Sequence, residues 1–405
     1  MAEALLLSEK VTLFRQEAPG GITYRIPALL YLPKETTFLA FAEKRSSAKD
    51  TDAEYLVLRR GRKDGASVQW EPLEALSSAT LPGHRTMNPC PVYEAETGTI
   101  FLFFICVERH VTEGHQILTG RNAARLCYVS TGDAGRTWSP LVDLTEQVIG
   151  EDVRNWATFA VGPGHGVQLS SGRLVIPAYT YYIHMHCCGQ PVPCCTKPHA
   201  LTFYSDDRGR SWCKGHLLKA RRAAECEVAE VTRQDGRKVL YCSARTPDKC
   251  RVEALSTDGG DRFQESSLCR ELCEPPHGCQ GSVVSFTPAP GQPEPDWKDG
   301  PKSWLIYSHP TSRHKRVNLG IYLNPSPLEQ ACWTAPWVLY KGPSGYSDLA
   351  VCAGGTPRLF GCLFECGVAC ECEEIAFRLF SYAELLRGIQ DDCAQRISDM
   401  VKVTC

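Results

Sequence analysis

Histidine and cysteine crowd one short stretch of the chain. His184-Met185-His186-Cys187-Cys188 is followed by Cys194-Cys195 and His199. These are ligand types for zinc, yet adjacent Cys-Cys pairs lack the Cys-x2-4-Cys spacing that brings two thiolates onto one ion. Unmodified thiols on a loop and lipid-modified thiols are the other readings open here. A second group is acidic: Glu225, Glu227 and Glu230. If this run is a strand, 225 and 227 share a face, so spacing alone does not choose between them. A third is the polar run Ser46-Ser-Ala-Lys-Asp50-Thr-Asp52-Ala-Glu54, which reads as a loop. A carboxyl there is solvated when the loop is open and acquires a raised pKa when a ligand closes it in. Asp207 and Asp258 also invite a catalytic or calcium-binding reading, but they belong to a repeat, and a repeated residue has a repeated, structural role.

The elements that must position these groups are short and apolar. Ala28–Leu32, Phe38–Ala42, Tyr55–Leu58, Ile100–Cys106, Ala124–Val129, Arg173–Tyr179, Val239–Ser243, Trp304–Tyr307, Gly320–Tyr322 and Leu359–Phe364 are strand-length runs separated by turn residues. Helical periodicity is nearly absent before the C-terminal tail, so the chain reads as all-β. Thr131-Gly-Asp133-Ala-Gly135-Arg-Thr137-Trp138 matches Ser205-Asp-Asp207-Arg-Gly209-Arg-Ser211-Trp212, with a degenerate copy at Ser256-Thr-Asp258-Gly-Gly260-Asp-Arg-Phe263. The pattern suits a tight hairpin: Asp satisfies turn amides, Gly takes the positive-φ position and the aromatic residue anchors the hairpin below. The copies lie 74 and 51 residues apart, and six units in this chain would average about 67 residues each. Radial repetition of four-stranded sheets follows: a six-bladed β-propeller occupying 1–405 as a single unit. The segment 288–302, rich in Pro, Gly and charge, reads as an exposed loop. Ser381-x-x-Glu384 is a capping-box pattern, and Leu385, Ile389, Cys393 and Ile397 follow at fourfold spacing, which predicts a short amphipathic helix over 381–400.

Bulk composition narrows the partners. The chain has 405 residues, 43% hydrophobic and 22% charged, enough for a large core, and a net charge of −2. Nothing in that balance attracts nucleic acid, and any anion recognition must come from local basic groups. The N-terminal Met-Ala-Glu-Ala-Leu lacks a basic region and a long apolar core, so no signal peptide is expected. The apolar run Ile100–Val107 is far short of the roughly 20 residues that span a bilayer. No permitted Asn-x-Ser/Thr sequon occurs. The 22 cysteines are therefore expected to be mostly reduced thiols.

Tyr24-Arg25-Ile26-Pro27 together with the Asp-containing repeats resembles the sialidase (neuraminidase) family. The similarity continues through Phe41-Ala-Glu-Lys-Arg45, His84-Arg-Thr-Met-Asn-Pro89, Phe159-Ala-Val-Gly-Pro-Gly-His165, Glu225-Cys-Glu-Val-Ala-Glu230, Gly278-Cys-Gln-Gly-Ser282 and Gly345-Tyr-Ser-Asp-Leu349. Several segments in the right order make the signal specific. Gly21-Ile-Thr-Tyr-Arg-Ile-Pro27 and Trp156-Ala-Thr-Phe-Ala160 point to the vertebrate cytosolic and plasma-membrane branch, on its membrane-associated, ganglioside-cleaving side.

The resemblance implies a retaining exo-α-sialidase. It places the substrate carboxylate on Arg25, Arg245 and Arg316, with Glu365 orienting Arg25. Guanidiniums hold a carboxylate through fork-like charged hydrogen bonds more directionally than lysines, and a propeller would bring the three together because each blade contributes its innermost strand. The nucleophile maps to Tyr346, its base to Glu225 and the acid/base to Asp50. A neutral phenol avoids the repulsion a carboxylate nucleophile would meet at a carbon already bearing a negative group, and with a pKa near 10 it needs an adjacent base. Arg45, Met87, Asn88, Glu113, Tyr179, Tyr181 and Gln280 complete the implied pocket. This chemistry calls for no metal and no cofactor. The implied substrates are sialylated glycolipids, above all gangliosides, and glycoproteins. A catalytically inactive sialic-acid-binding propeller is the alternative; it would keep the arginines and lose the nucleophile, base or acid, and all three are present. The apolar, thiol-rich stretch after Tyr181 then reads as a membrane-contacting loop, S-acylated at one or more of Cys187, Cys188, Cys194 and Cys195. The expected location is peripheral, at the plasma membrane and endosomal membranes, without a transmembrane span.

Overall fold

The computed structural model describes residues 9–288, 303–329, 332–352 and 358–403; apart from Pro288, the expected 288–302 loop lies outside them. Each apolar run named above falls inside a strand, except that Arg173 precedes Leu174–Ile183, and the strands assemble into antiparallel sheets in chain order. The first sheet pairs Thr23–Leu32, Thr37–Arg45, Ala53–Asp64 and Ser67–Trp70; the second pairs His84–Glu94, Thr99–Glu108, Ala124–Thr131 and Val142–Asp143. The third is built on Trp156–Val161, Leu174–Ile183, Thr196–Ser205 and Cys213–Lys214, and the fourth on Cys226–Thr232, Lys238–Ala244, Cys250–Ser256 and Glu265–Cys273. A seven-stranded sheet then runs from Ser282–Phe286 through Trp304–Pro310, Val317–Asn324, Trp337–Cys352, Leu359–Cys366 and Glu374–Ser381 to Val11–Arg15.

The core is a ring of interfaces between these sheets. Leu39, Phe41 and Leu58 of the first pack on Ile100, Leu102 and Phe104 of the second. Phe101 and Phe103 face Ile176, Leu201 and Phe203 of the third, whose Val175 and Ala200 meet Val228, Leu240 and Val252 of the fourth. Tyr241 and Leu272 then meet Val283, Leu305 and Tyr307 of the long sheet. The ring closes where Phe14, Leu363 and Phe377 pack on Phe38 and Ala40 of the first sheet. A sheet covered on both faces needs apolar residues at nearly every position, which is why Ile100–Val107 reads as a continuous run instead of an alternation; every residue of it is buried. The arrangement is all-β and propeller-like.

The repeated Asp motif proves structural in all three copies. In the second, Asp207 accepts hydrogen bonds from the Ser211 amide (2.8 Å), the Ser211 hydroxyl (2.6 Å) and the Ser205 hydroxyl (2.8 Å). Gly209 sits at φ 84°, and a Cβ there would lie 2.2 Å from the Phe101 ring. Trp212 next to it stacks edge-on to Phe103 at 4.6 Å. Each hairpin thus latches onto the preceding sheet: Arg60 bonds the Gly135 carbonyl, and Thr202 the Gly260 carbonyl at 2.6 Å.

Among the described residues two α-helices accompany the strands. The tail forms the one expected, spanning Tyr382–Val403. Its capping box is complete, with the Glu384 amide donating to the Ser381 hydroxyl (3.2 Å) and Glu384 accepting from the Ser381 amide (2.7 Å). Leu385 is buried and Ile389 partly so against the long sheet. The other helix, Glu113–Thr119, carries no periodic signal because it is two turns long. Its signals are its ends: Thr112 caps the His115 amide, and Gly120 terminates it at φ 65°.

The Ser211 and Ser205 hydrogen bonds hold the Asp207 carboxyl down to about 2. Its stabilisation is therefore present above the unfolded carboxylate pKa of ~3.9 and lost as pH falls toward the folded value. Asp207→Asn should lower stability at neutral pH by about 1–2 kcal/mol, seen as a lower melting midpoint, and should flatten the acid-side decline while leaving steady-state kinetics unchanged.

Candidate active site

The innermost strands reach one face of the ring with local irregularities. Register shifts fall between Arg25 and Ala28, between Met87 and Cys90, and between Ser344 and Ser347. Ile26 and Asn88 hold φ of 63° and 60° without being glycine. Bulges and left-handed residues re-aim side chains that a regular pleat would bury elsewhere. They frame a cleft of about 970 Å³ lined by Arg25, Arg45, Asp50, Met87, Asn88, Glu113, Tyr179, Tyr181, Glu225, Arg245, Arg316 and Tyr346. Residues from across the chain length are thus brought together. Gln280 and Glu365 are not among the lining residues. They lie beneath it, with Gln280 bonded to the Pro163 carbonyl (3.1 Å), the Ser347 carbonyl (3.0 Å) and Glu227 (3.3 Å).

Tyr346 is the centre. Its hydroxyl donates to Glu225 at 2.6 Å and accepts from Arg245 Nη1 at 2.9 Å, while the same Nη1 donates to the other Glu225 oxygen at 2.7 Å. The guanidinium carbons of Arg25 and Arg316 stand 5.8 and 5.4 Å from the centre of its ring. Burial, then Glu225, push the Tyr346 phenol well above its ordinary value, against the pull of Arg245 and Arg316. Glu365 accepts from Arg25 Nε (2.7 Å) and from the Ile26 and Tyr346 amides (2.9 Å each). Burial would raise this carboxyl, but Arg25 outweighs it and holds Glu365 below the usual range. Only Arg25 sits on an innermost strand. Arg245 follows Lys238–Ala244 and Arg316 precedes Val317–Asn324, so loops at the ends of second and third strands supply the other two.

Glu225 and Glu227 do face the same way, at different depths. Glu225 opens to the cleft; Glu227 is buried below it, accepting from the Val283 amide at 3.0 Å. Across the cleft, Asp50 begins a single 3-10 turn and accepts from Arg45 Nη1 at 2.6 Å. Burial would raise the Asp50 carboxyl, yet Arg45, with Arg25 and Arg85 behind it, holds it below the ordinary carboxylate range. Arg45 is itself anchored through Nε (2.9 Å) and Nη2 (2.6 Å) to buried Glu43, which also accepts from the Asn88 amide (2.7 Å). Glu113, at the start of the two-turn helix, lines the cleft and is exposed to its water. Burial first, then repulsion from Glu225 and Asp50, raise its carboxyl to about 7.

Sequence reasoning passed over several of these groups. Arg85, Lys49 and Arg222 also line the cleft. Arg85 bonds the carbonyls of Glu108 (2.8 Å) and Val111 (2.7 Å), holding the segment that leads to Glu113. Glu43 and Arg85 stood inside quoted motifs, but nothing in the residues marked them as supports. The histidine–cysteine stretch does not assemble a zinc site. His184 and His199 meet through their Nε2 atoms at 2.7 Å, and the group whose ligand atoms approach closely enough for a metal among the described residues is instead His165, Glu227 and Asp348. Cys187, Cys188 and Cys194 are exposed free thiols. No helix among the described residues is long and apolar enough to cross a membrane.

Comparison with known proteins agrees with this geometry. Residues 36–359 match the family of BNR repeat-like domains. The chain is 58% identical to Sialidase-3 of Homo sapiens over 417 residues, covering 97% of each, and 57% identical to Sialidase-3 of Bos taurus over 419 residues, again 97% of each. Among solved structures it resembles the Hadza microbial sialidase Hz136, with a TM-score of 0.71 at 23% identity, over 90% of this chain and 67% of that one. With that fold, that cleft and relatives of such similarity over nearly the full length, the chain belongs to the vertebrate sialidase family, the exo-α-sialidases among the glycoside hydrolases.

Proposed function

We propose that this sialidase works with retention of configuration, using Tyr346 as nucleophile, Glu225 as its base and Asp50 as acid/base, and that gangliosides are its preferred substrates. The observation that carries the reading is the 2.6 Å hydrogen bond from Tyr346 to Glu225 inside the three arginines. Arg25, Arg245 and Arg316 seat the carboxylate. Asp50 gives its proton to the glycosidic oxygen as that bond breaks, the Tyr346 oxygen bonds to the anomeric carbon, and Glu225 takes the phenol proton. Water then attacks the glycosyl-tyrosine with Asp50 as base, and two inversions give net retention. Asp50 is tied to Arg45. A sugar that draws Arg45 away from Asp50 and excludes water would raise this carboxyl, and so readies it as an acid. Arg45, Met87, Asn88, Glu113, Tyr179 and Tyr181 contact the sugar in this scheme, and Gln280 and Glu365 support from below.

We read the fold as six blades. The strand Trp337–Cys352 pairs with Val317–Asn324 through its first half and with Leu359–Cys366 through its second. The two halves of the long sheet also pack on each other, Val284, Ile306 and Leu319 against Phe360, Cys362 and Phe364, as neighbouring blades do.

For location we propose peripheral attachment at plasma and endosomal membranes through the thiol loop. Cys187, Cys188 and Cys194 are exposed there, Met185 is 53% exposed, and Leu118 on the neighbouring helix is 64% exposed. The strands flanking the loop carry Tyr181 and Thr196 into the cleft, which would hold a lipid-linked sugar near the site. One acyl chain binds a bilayer marginally and two bind it stably, so clustered thiols fit the purpose.

Three outcomes follow. Proton NMR of fluorogenic-sialoside hydrolysis should show the α-anomer of free sialic acid first, and Ala at Arg25, Arg245 or Arg316 should each lower kcat/KM by roughly 10² or more; β-anomer first, or no turnover between about pH 4 and 7, would sink the mechanism. Because Glu113 above about 7 adds a negative charge to the cleft that takes the anionic substrate, kcat/KM should fall as pH rises through neutrality. Glu113→Gln should soften that fall; an unchanged alkaline limb would remove Glu113 from the account. Replacing Cys187, Cys188, Cys194 and Cys195 by Ser should cut palmitate incorporation, membrane fractionation and ganglioside turnover while sparing a soluble sialoside. Unchanged labelling would exclude this loop as the anchor.

A further inference from the structure

Two of the three cleft arginines are held from behind by backbone carbonyls of one loop. His277 O accepts from Arg245 Nε (3.0 Å) and Nη2 (2.6 Å), and Gly278 O accepts from Arg316 Nη2 (3.0 Å). His277 and Gly278 reach this pose at φ 65° and 70°, a conformation a non-glycine residue such as His277 adopts only when its surroundings enforce it. The enforcement is visible below. Glu274, buried, accepts from the Cys279 amide (2.8 Å), and buried Arg251 donates from one Nη1 to both Glu274 (2.9 Å) and the Cys279 carbonyl (2.8 Å). Arg251 also bonds the hydroxyl (3.1 Å) and carbonyl (3.2 Å) of Ser243, two residues before Arg245. His309 closes the group at 3.1 Å from Glu274. Both ends of the loop, and the strand that delivers Arg245, are thus tied to one buried ion pair.

We infer that Glu274 and Arg251 are positioning residues for the reaction, fixing through the His277–Gly278 carbonyls the aim of Arg245 and Arg316 toward the substrate carboxylate and the Tyr346 oxygen. Carbonyl oxygens suit this task. They orient a guanidinium without neutralising it, whereas a carboxylate in the same place would offset the charge the substrate needs. Arg245 has three partners to satisfy at once, His277 O, Glu225 and Tyr346, so a small rotation about its side chain detaches it from the phenol as well as from the anion. Glu274 is brought down to about 2 because Arg251 and His309 outweigh its burial, which keeps the ion pair charged across the working range.

The inference rests on the three-arginine reading, and the test separates the two. Gly278→Ala is the sharpest probe: the added Cβ would lie 2.8 Å from Arg245 Cγ and 3.0 Å from its Nε, displacing that side chain while leaving the ion pair intact. Glu274→Gln, which loosens the loop from beneath, is the second. In the full chain both are compared with the parent for kcat/KM on a fluorogenic sialoside, melting midpoint, and competitive inhibition by free sialic acid against its methyl ester. Misplacement of a positioned group by an ångström or so costs on the order of 10–100-fold. That loss is expected in kcat/KM for folded Gly278→Ala, with the acid losing its advantage over the ester, which a merely structural weakening would not alter. Should Gly278→Ala fail to fold, Glu274→Gln decides by the same ratio. A folded variant whose acid-to-ester ratio and kcat/KM both match the parent overturns the clamp, provided Arg245→Ala and Arg316→Ala abolish the ratio. If those two also keep it, the arginine reading itself falls, and the clamp with it.

Discussion

Three guanidiniums converging on one tyrosine repel one another, and much of the architecture answers that repulsion without cancelling it. Arg25 is backed by a buried carboxylate, Glu365, which also fixes the amides of Ile26 and Tyr346. Arg245 shares Glu225 with the phenol. Arg316 meets carbonyl oxygen at Gly278. Counter-charge is thus placed beneath or beside the cluster, leaving its upper face positive. A flexible scaffold would relax by letting the arginines splay apart. A ring of sheets packed on both faces resists this, because moving one blade edge disturbs two interfaces.

The acidic groups of the cleft are set apart by their charged neighbours. Asp50, at the rim, is held down by Arg45, whereas Glu113, farther from a paired cation and nearer Glu225, is held up to about 7. Two carboxyls in one cleft therefore carry different charge near neutrality. Such a split lets a site present a proton donor and an acceptor at one pH.

Legibility in the sequence followed locality. The Asp hairpins and the capping box were readable because their partners sit within a few residues: Asp207 with Ser205 and Ser211, Ser381 with Glu384. The convergence of Arg25, Arg245, Arg316, Tyr346 and Glu225 came from resemblance, since residues hundreds of positions apart leave no spacing to read. Even then the innermost-strand expectation held for Arg25 alone, because Arg245 lies just beyond Lys238–Ala244 and Arg316 just before Val317–Asn324, the second and third strands of their sheets. Gln280, implied as a pocket residue, lies under the floor because its amide is consumed by the Pro163 and Ser347 carbonyls and Glu227. The two-turn helix bearing Glu113 was invisible to periodicity, and only Thr112 and Gly120 marked its ends.

The closing strand has a temporal side. Val11 pairs with Phe377, and Phe14 with Ile375, so a strand synthesised early in the described chain has its partner more than three hundred residues later. At about 5–20 residues per second the strand waits roughly 20–70 s for that partner, its amide edge unpaired and its Leu13 and Phe14 uncovered. The intermediate sheets can stack meanwhile in order of synthesis, each on its predecessor, but the ring stays an open arc until Glu374–Ser381 is made. Nascent sialidase of this kind is therefore an edge-exposed arc until its closing partner is made, and the stage at which a folding chaperone would find most to shield is the one just before Glu374–Ser381 emerges.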